Sequence, residues 1–181
     1  MGVIKLRMEQ IKTAENDIRF LIPRVEYMAL QFRKIIEQIL LASLITNSEV
    51  YQQYYNRIGK EWNPKYIAQD LKRVNPNFFP KAVIDHHDKH ELEDIKDCLT
   101  CDELIEMYKH IGKLLHASNP FSQFPDYEAY SAYIINGCGR IIDLLNTHVI
   151  IPYGEKTLLF VIMHQGEKGE VSINWCEKCD E

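Results

Sequence analysis

Apolar side chains recur every seventh residue at Ile4, Ile11, Ile18, Val25, Phe32 and Ile39, with Met28, Ile35 and Ile36 on the same face. That period predicts helix from about Val3 to Thr46. Pro23 lacks an amide hydrogen and clashes one turn back, so it should kink this helix or divide it near Ile22. A chain that begins with so long an amphipathic segment must pack further helices against it, and the sequence supplies them. Asn47-Ser48 ends the first stretch, and Ser48 serves as N-cap for a short helix over Glu49 to Ile58. Asn63-Pro64 opens a helix to Val74, with proline in the first turn. Asn75 to Pro80 must be extended, with Phe78 and Phe79 tucked onto the helices, and Asp85 to Asp97 reads as a charged loop. Thr100 and Glu103 form a capping-box pattern for a helix to Leu115 or His116. Asp126 caps the next, Tyr127 to Asn146, where Gly137 and Gly139 imply a close helix crossing.

The tail changes period. His148 to Tyr153, Thr157 to His164 and Glu170 to Trp175 are β-branched or aromatic runs separated by glycine-bearing breaks. The expected architecture is α+β: a bundle of about five helices over 1–147 and a three-stranded antiparallel meander over 148–181, in a single domain. With 46% hydrophobic residues the chain can bury a core, and a net charge of -5 offers no basic excess for nucleic acid. No run approaches the roughly 20 apolar residues of a membrane span. Residues 1–16 lack the apolar core of a signal peptide, and five cysteines do not make a secreted framework. A cytoplasmic location without membrane contact is expected.

Glu26, Arg33 and Glu37 share one stripe of the long helix, whose exposed face is expected at Gln31, Lys34 and Gln38. A positioned arginine can hold a phosphate or carboxylate. The same stripe also fits a shielded ion pair that fixes helix register, and that reading is preferred because structural ion-pair networks imitate sites. His116 and Asn119, with Pro120 after them, lie at a helix end and can bond its last carbonyls. His148 stands where helix gives way to strand. With Arg33, the two histidines make up an acid–base set, although no serine or cysteine nucleophile motif accompanies them. Two Cys-x-x-Cys pairs, Cys98/Cys101 and Cys176/Cys179, and the run Asp85 to Glu91 carry metal-ligand chemistry. Cys98 and Cys101 straddle a helix cap, the second pair is terminal, and the histidines sit in a loop that orders nothing, so no metal and no cofactor is assigned.

Phe32-Arg33-Lys34-Ile35-Ile36-Glu37 on the early helix, followed by Tyr108-Lys109-His110-Ile111-Gly112-Lys113-Leu114-Leu115-His116 on a later one, resembles the HEPN superfamily over Arg24 to His148. That resemblance implies a small helical bundle of the kind found in bacterial defence and toxin–antitoxin systems, many of whose members are ribonucleases. Catalytic members carry an arginine closely followed by a histidine. Here the nearest such pair is Arg140 and His148, with seven residues between, so the catalytic motif does not carry over. The leading expectation is therefore a helical interaction module acting through protein partners, with a homodimer through the kinked N-terminal helix. The alternative is a metal-independent ribonuclease in which Arg33 binds phosphate and His116 or His148 is the acid or base, with RNA as partner.

Overall fold

The computed structural model describes residues 1–17, 19–54, 63–86, 91–116, 123–154, 156–165 and 169–177. Six helices and five strands follow in the order α1 (Gly2–Glu15), α2 (Leu21–Thr46), α3 (Ser48–Tyr54), α4 (Pro64–Val74), β1 (Lys81–His86), β2 (Glu91–Asp94), α5 (Cys101–Leu114), α6 (Tyr127–Leu145), β3 (Thr147–Ile150), β4 (Thr157–Gln165) and β5 (Glu170–Glu177). The α+β class is as the sequence implied; the counts are not.

The long N-terminal stretch is two helices. The break falls before Leu21, earlier than expected, and Pro23 sits in the first turn of α2, where a missing amide hydrogen costs nothing. The apolar seven-spacing nevertheless continues through the break, because α1 folds back onto α2 and both present the same face to one core. Ile4, Ile11, Val25, Phe32 and Ile39 are all buried, while Ile18 lies outside the described residues. That fold-back also corrects the assignment of Gln31 to the solvent face. The Arg7 guanidinium of α1 donates to its side-chain oxygen, and Gln31 is buried beneath it. Gln38 is half-buried, and only Lys34 of the three is exposed.

Three caps stand where they are expected, whereas Ser48, expected as the N-cap of the short helix, is instead the first residue of α3. Asn63 accepts from the Lys65 amide at 3.0 Å, Asp126 from the Ala129 amide at 3.0 Å, and Thr100 and Glu103 close a reciprocal capping box. α2 runs through the centre with α1, α4, α5 and α6 around it.

The sheet is larger than expected, with strand order β2-β1-β3-β4-β5 and every pairing antiparallel. The charged stretch Asp85 to Asp97, expected as a loop, instead supplies the end of β1 and all of β2, which pair antiparallel in register Ile84↔Glu93 and His86↔Glu91, with His86 Nε2 at 3.0 Å from Glu93 Oε2. It escaped the period because β2 is an exposed edge strand, where no apolar side chain is demanded. β1 then pairs with β3 through Ala82↔His148 and ties the middle of the chain to its tail. Gly154 and Gly169, at φ +72 and +61, adopt the left-handed conformation that the two turns of the tail require. One sheet face brings Ala82 and Met163 into the helical core. The other carries a small cluster of Val83, Val149 and Phe160, with Cys176 packed against it.

Candidate functional site

Arg33 and Glu37 lie one turn apart on α2, facing Tyr108 of α5. Arg33 Nε donates to Glu37 Oε1 at 3.3 Å, and the guanidinium also donates to the Tyr108 hydroxyl. The same hydroxyl donates to Glu37 Oε1 at 3.2 Å, closing a three-member ring of polar contacts. The guanidinium carbon lies 4.3 Å from the centre of the Tyr108 ring, a cation–π arrangement. Gly112, one turn further along α5, makes room for it: a Cβ there would lie 3.4 Å from Arg33 Nη1. The Arg33 and Glu37 side chains are 27% and 30% exposed, so the ring sits at the rim of the bundle. Burial, and the Glu37 carboxylate, push the Tyr108 phenol above its ordinary range, with Arg33 opposing, and the phenol stays protonated.

The third member of the expected stripe has another partner. Glu26 accepts from the Tyr127 hydroxyl of α6 at 3.3 Å, and burial with that carboxylate raises the Tyr127 pKa. The stripe is thus two polar contacts, one to α5 and one to α6, with Leu30 between them, 41% exposed. Phe124 continues the surface beyond Tyr127, with ring centres 5.5 Å apart, and is 73% exposed. Both tyrosines are partners that the sequence analysis did not single out. The available signal was Tyr108 at four residues before Gly112, which places a phenol and a gap on one helix face.

His116 is exposed, just past Leu115 at the end of α5 and one turn beyond Gly112. Asn119 lies outside the described residues. His148 is elsewhere. It is fully buried in β3, with Nδ1 donating to the Leu145 carbonyl at 2.8 Å and Nε2 without a partner among the described residues. Burial pushes its pKa down to about 4, so it is neutral and sealed, and it does not join Arg33 in any cleft. His110, to which the sequence assigns no role, packs against Tyr130 and Tyr133 at 4.9 and 4.4 Å between ring centres, and burial lowers its pKa.

Among the described residues Cys98 lies just before α5 and Cys101 opens it, with Cys138 on α6 and Cys176 on β5. Burial raises the Cys98 thiol and pushes Cys101 to about 12, opposite to the low pKa of a thiol activated by neighbouring cations. Cys176 belongs to the small sheet cluster, and Cys179 lies outside the described residues. Among the described residues no group of three or more His, Cys, Asp or Glu side chains is arranged to hold a metal. Among the described residues no helix is long and apolar enough to cross a membrane. Compared with known proteins, the chain matches no family model, no curated protein and no solved structure.

Proposed function

We propose that this chain is a helical interaction module that docks a protein partner, a second copy foremost, along the flank of α2. The observation that carries the reading is the composition of that flank. Tyr27, Leu30 and Phe124 are 40%, 41% and 73% exposed, beside an arginine whose hydrogen bonds are already directed to Glu37 and Tyr108. Exposed aromatic and aliphatic side chains around a pre-ordered arginine are the composition of interface centres. Under the HEPN resemblance the setting is a bacterial cytoplasmic system of defence or toxin–antitoxin type. Size exclusion with light scattering should give a dimer at micromolar concentration, and Leu30→Glu and Phe124→Glu should return it to monomer. A wild-type monomer at that concentration overturns self-association through this flank.

A second reading, a metal-independent ribonuclease, rests on the α5 stripe that puts Gly112 against Arg33 and His116 one turn on. It needs Arg33 to release Glu37 for a phosphate, and His148 has no part in it. Cleavage of mixed-sequence RNA in the presence of chelator, lost in His116→Ala, distinguishes it from the binding reading.

A further inference from the structure

Away from the α2 flank, a cavity of about 550 Å³ runs between α1 and α6 and ends on β4. Its volume falls in the range of small-molecule sites, roughly 300–1,000 Å³. Ile4, Met8 and Ile11 form one wall, and Ile135, Cys138 and Ile142 the other. Burial holds the Cys138 thiol neutral, its pKa raised to about 12, so the floor carries no charge. Gly139 lines the cavity at an exposed position, and a Cβ there would meet nothing within 4 Å, so a larger side chain has room to enter.

The charges on the rim are not evenly placed. Lys5 and His164 stand at the end where Met163 and Asn146 close the cavity, and the Lys5 ammonium is held by the Gly169 carbonyl at 2.6 Å. No carboxylate pairs with it among the described residues. The far end, near Cys138, carries Glu15, whose charge acts on that thiol. Glu9 and Lys12 lie between them along the α1 rim. The α1 wall from Ile4 to Glu15 is about 16 Å long at the α-helical rise. The result is an elongated apolar trough with an un-neutralised ammonium at one end and a carboxylate at the other.

We infer that this trough binds a medium- or long-chain carboxylic acid, its carboxylate at Lys5 and His164 and its tail along Ile11, Ile135 and Cys138. With its head at Lys5, a cationic amphiphile would meet the ammonium with the wrong sign and a neutral one would leave it without a counter-charge; a cationic head placed at Glu15 is the reversed orientation that the amine control tests. The lysine supplies a charge-assisted hydrogen bond, and the hydrocarbon walls supply the bulk of the affinity by removing apolar surface from water.

The test titrates the full chain with lauric and myristic acids below their micelle concentrations, with dodecanol and dodecylamine as controls. Binding is read by calorimetry and by the shift in Tm. The acids should bind saturably at one site and raise Tm, and the amine should not. Gly139→Phe, whose ring fills the trough without meeting a neighbour at Cβ, should abolish binding, and Gly139→Leu should weaken it. Lys5→Glu should weaken the acids roughly tenfold, the scale of one hydrogen bond to a charged group, while sparing dodecanol. Circular dichroism of each unliganded variant shows that it is folded. No saturable binding by wild type overturns the site. Equal binding of acid, alcohol and amine overturns the carboxylate assignment, and acid binding that survives both Gly139 variants places it outside the trough.

Discussion

At the scale of single residues the Arg33 ring is the most informative feature, because its partial exposure sets the size of every effect. A fully enclosed charge pair loses about 3–5 kcal/mol when one member is removed, whereas exposed pairs count for under about 1 kcal/mol. With both side chains near 30% exposed, Arg33→Ala should destabilise by about 1–2 kcal/mol, combining a lost charge-assisted bond with the lost cover of the Tyr108 ring. Arg33→Met restores volume but leaves Glu37 with the Tyr108 hydroxyl alone, so it should remain destabilised, and adding Glu37→Leu should recover part of the loss. Urea unfolding of the four proteins checks this. An Arg33→Ala protein as stable as wild type would mean that the ring adds nothing to the fold. The sequence placed Arg33 and Glu37 on one stripe by helical spacing alone. It did not indicate Tyr108, because a contact between residues 71 positions apart exists only once α2 and α5 are side by side.

Among the elements, α6 provides the sharpest contrast, because two glycines two residues apart do opposite things. A Cβ on Gly137 would lie 2.5 Å from Cζ of Phe32, a fully buried ring on α2, so something must shift to admit it. Gly137→Ala should therefore cost about 1–3 kcal/mol through overpacking. Gly139→Ala meets no neighbour and should gain up to about 1 kcal/mol from helix propensity. Thermal unfolding monitored by circular dichroism reads both signs; two substitutions with the same sign would contradict the crossing geometry. The sequence implied one close crossing from both glycines. Only Gly137 makes it, since successive α-helical positions point about 100° apart and two residues of separation reach opposite sides of the helix. The caps at Asn63, Thr100 and Asp126 were legible because capping is local: side chain and amide lie within three residues of each other.

Across the whole molecule, the junction of sheet and bundle decides how stability responds to pH. His148 sits there, buried between β1 and β4 in the sheet and bonded to the last turn of α6. Its pKa is lowered from 6.5 to about 4 because burial penalises the imidazolium. The folded state therefore holds His148 neutral while the unfolded chain takes up a proton. Stability from this residue is complete above pH 6.5 and declines as pH falls toward 4, by at most about 3 kcal/mol. Asp17 and Glu103, both lowered to about 2 by arginine partners, contribute mostly below that window. Denaturant unfolding from pH 7 to 4 should show the decline, and His148→Leu should flatten it whatever its absolute stability. An unchanged slope in that variant would assign the decline to other groups.

The sequence by itself determined the elements with a strong local period: most of the helical stretches, the caps at Asn63, Thr100 and Asp126, and the tail strands with glycine at their turns. It also determined the α+β class, since a 3.6-residue period and a 2-residue period cannot serve the same segment. What only the tertiary structure decided is everything carried by distant pairing. The β1–β2 hairpin became part of the sheet because β3, more than 60 positions later, offers β1 an edge to bond. Gln31 became buried because α1 folds over it, and His148 lost its place among catalytic candidates because the sheet closes around it. A side chain's period records which way it points, whereas its burial and its charge depend on what the rest of the chain brings to that face.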